Sequence, residues 1–304
     1  MPSHQFCIYE LRIRQLNKKD AFRDVASFTP SRADLLADLE NFLENQMGTK
    51  GVSLDKGEHY IRLSRSSTKN RIIWPTVESG RFGSTGKVVD KDTGDDTYSI
   101  KDSDAPTYPM RQAFIVPTAG DRALWATEVV GHNSAITSLW NSFYDWFREK
   151  YDSERLTLER SPLQDTDAWK AFIDESELQE IKFVAHVSDS DGSVGVRAQE
   201  FISKSGRGTR LPKWWLGGAL KKELPASTVF SISGIPEADE VHLEIERDGR
   251  SRRIVVGRDF PRFMYQLEDA GGVRPSDTVF REAVLSEAGA SLDLMGVTRD
   301  TWQR

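Results

Sequence analysis

Two short apolar runs, 112–117 and 123–130, separated by Thr118, Ala119, Gly120, Asp121 and Arg122, constrain this chain more than any other feature. Each is too short for an ordinary helix, and they meet across turn-forming residues. The pair is therefore expected to form a hairpin in the middle of a sheet. Residues 6–14 alternate, placing Cys7, Tyr9, Leu11 and Ile13 on one face, and 60–63 and 71–77 read as further short strands joined by the polar stretch 64–70. The stretch 88–106, rich in Asp, Thr, Ser and Gly, reads as an exposed hairpin end or flexible loop.

Two helices accompany these strands. Thr29, Pro30 and Ser31 supply opening signals, and Leu35, Leu36, Leu39, Phe42, Leu43 and Met47 share one helical face that ends near Gly48. Gly131, His132, Asn133 and Ser134 break the second apolar run and offer caps for a helix carrying Ile136, Leu139, Trp140, Phe143 and Phe147. Further on, the pattern predicts a short helix at 167–173, strands at 181–187 and 194–201 around a turn at 189–192, and a helix at 214–224 despite Gly217 and Gly218. Strands follow at 229–232, 241–246 and 253–256, the last two joined through Asp248 and Gly249, with helices at 260–267 and 278–285.

These elements predict an α+β protein: an N-terminal, mostly antiparallel sheet covered by helices, and a C-terminal β/α lobe. At 304 residues the chain exceeds the usual span of one core. The expected division is an N-terminal domain at 1–155, a linker at 156–167 within the polar stretch containing Ser161 and Pro162, and a C-terminal lobe at 168–304.

With 38% apolar and 29% charged residues the chain has the composition of a folded protein and not of a disordered one. No apolar run reaches the roughly 18–20 residues needed to cross a bilayer, so no membrane association is expected. The start of the sequence lacks an export signal, and the single cysteine, Cys7, reads as a buried strand thiol; a cytoplasmic location is expected. The oligomeric state is left open.

The net charge of −6 argues against a general nucleic-acid coat, but the charge is unevenly spread. Residues 151–180 hold nine acidic and three basic residues, whereas 201–222 hold six basic residues and no acidic one. Lys204, Arg207, Arg210, Lys213, Lys221 and Lys222 surround Trp214 and Trp215. Cations neutralise phosphates while an exposed indole stacks on a base, a combination suited to single strands. A non-enzymatic nucleic-acid-binding or partner-binding protein is therefore the expected function. Its contact residues would be Lys204, Arg207, Arg210, Lys213 and Trp214, and its partner a nucleic acid or an acidic protein.

Two alternatives stand beside it. One is a hydrolase or nuclease whose carboxylate and histidine are assembled by the fold, with Glu128 and His132 at a strand-to-helix junction as catalytic candidates. The other is an acidic interaction module using 165–180. The sequence leaves open whether the protein is an enzyme. Gly80 to Lys87 departs from a phosphate-binding loop, because its first glycine falls one position early and Val88 replaces the hydroxyl residue. Asp92, Thr93 and Gly94 sit in a hydrated acidic loop and lack the apolar cradle of an aspartic-protease half-site; Asp90, Asp92, Asp95 and Asp96 lack calcium-loop spacing. Ser66 to Lys69 has a Ser-x-x-Lys spacing without an apolar helix around it, and the five histidines are dispersed. No metal or cofactor is expected.

Overall fold

The computed structural model describes residues 4–303 except 19–20, 55–57, 84, 132, 164–173, 189–195, 207–209, 221–223, 231–237, 239, 248–249, 257–261 and 268–273. The chain divides into two compact units, Met1–Ser161 with Gln266–Arg304, and Pro162–Tyr265.

The first unit begins with strands β1 (His4–Gln15) and β2 (Phe22–Arg23) and helix α1 (Leu35–Asn41), which continues as a π-helical turn over Phe42–Met47. Strands β3 (Val52–Leu54), β4 (His59–Arg65), β5 (Thr68–Lys69), β6 (Ile72–Ile73), β7 (Thr76–Arg81), β8 (Gly86–Val89), β9 (Asp96–Ile100), β10 (Thr107–Ile115), β11 (Ala123–Val130) and β12 (Asn133–Ser134) follow. Helix α2 (Ile136–Lys150) and strand β13 (Leu156–Pro162) complete the N-terminal part. The main sheet runs β1-β11-β10-β7-β4-β3, with β2 and β13 also paired to β1.

The apolar hairpin is present and central, with Phe114 opposite Trp125 and Ala113 opposite Ala126. Trp125 is buried, stacks on Phe114 at 5.6 Å, and donates its indole N–H to Gln112 Oε1 at 2.9 Å. A polar group this deep needs such a partner. β10 is shared between neighbours: Thr107 to Arg111 pair with β7, and Gln112 to Ile115 pair with β11. The handover falls at Arg111.

The α1 face forms as expected, but its cap is Asp34, which accepts from the Leu36 N–H at 2.9 Å. Thr29 is occupied instead by the Ala33 N–H at 3.0 Å, so the helix starts later than the Thr-Pro-Ser signal suggests. Gly48 takes a positive φ of 54° to end it. α2 buries Ile136, Leu139, Phe143 and Phe147, and Phe143 and Phe147 lie 5.2 and 5.7 Å from Phe42 and Phe28. β13 occupies most of the stretch read as a linker.

In the second unit, β14 (Glu177–Ser188) pairs with β15 (Val196–Lys204), and after helices α3 (Lys213–Leu220) and α4 (Ala226–Phe230) come β16 (Glu240–Arg247), β17 (Arg250–Val256) and β18 (Arg262–Gln266). Their order is β15-β14-β16-β17-β18, and each pair is antiparallel. Leu178, Ile181, Phe183, Leu243, Ile245 and Ile254 fill its interior. The first unit closes with α5 (Asp277–Leu294), capped by Ser276, and a 3-10 turn at Arg299–Thr301.

This corrects the expected fold class. Strand outweighs helix, 42% to 27%, with only five α-helices among the described residues; the protein is not a sheet covered by helices with a β/α lobe. Two element assignments account for much of the difference in the second unit. The apolar run at 260–267 supplies β18, with Met264 opposite Arg253 and Phe263 opposite Ile254. Residues 226–230, in part read as a strand, are helix α4. Short apolar runs do not distinguish strand from helix by period, and tertiary pairing decides them. The predicted short helix at 167–173 and turn at 189–192 lie outside the described residues.

Candidate functional site

The expected contact segment follows β15 and leads into α3. Lys204 lies directly across from Glu180 on β14 and pairs with it at 2.7 Å, a cross-strand ion pair. The hydrogen bond that Lys204 donates to Glu180, reinforced by the carboxylate's charge, raises the Lys204 pKa. Arg210 pairs with Glu177 at 2.7 Å, and Lys213 donates to the carbonyl of Asp174. Three cations are thus laid along one stretch, 174–180, while Arg207 lies outside the described residues.

Trp214 is 61% exposed. Its ring meets Trp215 edge-on at 6.2 Å, and Leu216 and Ala219 carry the buried side of α3. Gly217, one turn along, adds no side chain, and a Cβ there would meet nothing within 4 Å. The indole therefore stands uncovered, next in sequence to Lys213, and the Lys204 and Arg210 side chains are two-thirds or more in solvent. The Arg210–Glu177 pair is exposed on both sides and holds its arginine only weakly, whereas Glu180 is largely covered.

Glu128 occupies a different environment. It sits on β11 opposite Phe6, wholly buried, where β10 passes from β11 to β7. Its Oε2 accepts from the Arg111 backbone N–H and Nε, each at 3.0 Å, and from Arg274 Nη2; its Oε1 accepts from Arg111 Nη2 at 2.5 Å and Arg274 Nε at 3.2 Å. Arg111 Nη1 donates to the carbonyls of Pro275 and Ser276 at 2.7 and 2.8 Å. Burial pushes the Glu128 carboxyl upward, but the hydrogen bonds from Arg111 and Arg274 outweigh it and hold the group below the usual carboxylate range. Both oxygens are occupied by arginine donors. In this arrangement Glu128 anchors the segment before α5 to the central sheet, and His132 lies outside the described residues. His4 Nδ1 is 3.9 Å from Glu128 Oε1 and has no hydrogen-bond partner among the described residues.

One feature escaped the sequence reading. The 88–106 region does form an exposed hairpin, β8 with β9, but it encloses a cleft of about 460 Å³ with Tyr60, Phe82, Tyr98 and Pro106 among its walls. Tyr98 Oη donates to Asp104 at 2.6 Å. The available signal was Val88, Tyr98 and Ile100, apolar residues in an otherwise polar stretch. The Ser66–Lys69 spacing finds no helix, since Thr68 and Lys69 form β5. Among the described residues no group of three or more His, Cys, Asp or Glu could hold a metal ion, and no helix is long and apolar enough to cross a membrane. The chain matches no protein-family model and no curated protein.

Proposed function

We propose that the protein is a non-enzymatic binder of single-stranded nucleic acid, contacting it through Trp214 and the cations Lys204, Arg207, Arg210 and Lys213. The observation that carries this reading is the exposure of Trp214. An exposed indole is a platform on which a base stacks while neighbouring cations meet the phosphates. The overall charge of −6 suits a local contact and not a coat along a duplex. A cytoplasmic location belongs to the same proposal, supported by Cys7 as the only thiol in the chain.

The test is anisotropy of a labelled oligothymidylate titrated with the protein. Trp214→Ala is expected to lose about 1–3 kcal/mol of affinity, roughly 5- to 150-fold, without lowering the melting temperature. Binding of polyglutamate in place of the oligonucleotide would move the function to an acidic protein partner. A Trp214→Ala variant that melts early and binds as before would make the segment structural.

A further inference from the structure

We infer that the first unit carries an anion site, separate from the Trp214 face, that takes a phosphate group. A cavity of about 250 Å³ opens beside the start of α5, and Arg65, Arg111 and Arg281 line it with Ser66, Ser67 and Asp277. This volume is just under the range of pockets for drug-sized ligands, about 300–1,000 Å³, and suits a small phosphate ester.

The charge balance is unusual for so small a space. Arg65, Arg111 and Arg281 line it against Asp277, three positive groups to one negative, and behind the wall Arg111 and Arg274 share Glu128. Arg111 supplies mainly field, because Glu128 and two carbonyls take four of its five side-chain N–H groups. Arg65 and Arg281 supply donors. Arg65 spends Nε on Thr76 and Nη2 on Asp277, and Arg281 lies over the Trp74 ring at 5.2 Å and spends one N–H on Ser67 Oγ. The other guanidinium N–H groups of both, and the Ser66 hydroxyl, have no partner among the described residues. The α5 N-terminus adds its positive end to the same region.

Asp277 is the built-in competitor. It holds Arg65 and lies 3.5 Å from Arg111 Nη1, so an entering phosphate displaces a carboxylate from Arg65. Removing that carboxylate therefore strengthens anion binding, whereas an adventitious surface contact would be indifferent to it.

Calorimetry with inorganic phosphate, and separately with glycerol phosphate, tests the site in the full-length protein. Either is expected to bind in the millimolar range or tighter. Arg65→Gln and Arg281→Gln, at exposed positions and so without loss of fold, should each weaken binding by about tenfold. Asp277→Asn should tighten it several-fold, and Trp214→Ala should leave it unchanged. Tighter binding of glycerol phosphate identifies an esterified ligand, and equal binding a free phosphate. No heat with either probe, or binding that ignores all three pocket substitutions, overturns the proposal.

Discussion

Replacing Glu128 with glutamine keeps the shape of the side chain and removes its charge from the centre of two arginines. The amide nitrogen must take one of the two oxygen positions. At the Oε2 position it would face three donors, and at Oε1 it faces two, Arg111 Nη2 and Arg274 Nε, so the second arrangement is preferred. Two charge-assisted hydrogen bonds are then lost, and the buried Arg111 guanidinium loses its closest charged partner, Asp277 being 3.5 Å from its Nη1. Breaking a buried pair from one side costs roughly 3–5 kcal/mol. For a domain of ~150–250 residues that corresponds to a fall in Tm of about 6–20 °C. Amide hydrogen exchange along β10 and β11 reports this unit directly, and those amides should exchange faster by the same free energy. The double variant Arg111→Met with Glu128→Leu should recover part of the loss, because it removes the buried unpaired Arg111 charge, while Arg274, 36% exposed, loses its carboxylate and the carbonyls of Pro275 and Ser276 lose their donor. A loss below about 1 kcal/mol for Glu128→Gln would place the effect with ordinary substitutions and refute the anchoring role.

Acid should reveal the same carboxylate. The folded-state pKa of Glu128 lies below its unfolded value, so its contribution is complete above the unfolded value and is lost as pH falls through the folded one. Urea midpoints between pH 6 and pH 3 should therefore fall more steeply for the wild type than for Glu128→Gln, and parallel curves would contradict this. Tyr151 works in the opposite direction. Burial, and then its hydrogen bond to Asp38 at 2.7 Å, raises its pKa, so its contribution is complete below the unfolded tyrosine value near ~10 and declines as pH rises beyond it. Tyr151→Phe should flatten that alkaline decline in urea titrations while lowering stability near neutrality by about 1–2 kcal/mol. Gly217→Ala has open space for its methyl group within α3 and should stabilise the second unit by about 0.5–1 kcal/mol, measurable by calorimetry.

The sequence made the α1 face and the α2 stripe legible because each repeats a helical period, and the central hairpin legible because two short apolar runs flank turn-forming residues. It did not reveal β18 or α4, where a few apolar residues fit either period and pairing with β17 or local packing decides. Of the candidate site, the clustering of Lys204, Arg210 and Lys213 could be read directly. Their pairing with 174–180 could not, since Glu180 is brought opposite Lys204 only by the β14 and β15 register, and Arg210 meets Glu177 only after the chain has left β15. Glu128 stood out as a carboxylate at a strand end. Its partner Arg274 lies far along the chain, and no local pattern announces a contact of that separation.

The account rests on the Trp214 face meeting a nucleic-acid strand, and the salt dependence of oligothymidylate affinity tests that most directly. If the four cations each neutralise one phosphate, log K should fall with log salt at a slope of about −3, and Lys213→Gln should reduce its magnitude by about 0.7. Absence of binding at low salt, or a slope unchanged by Lys213→Gln, Arg210→Gln and Lys204→Gln alike, would contradict the account.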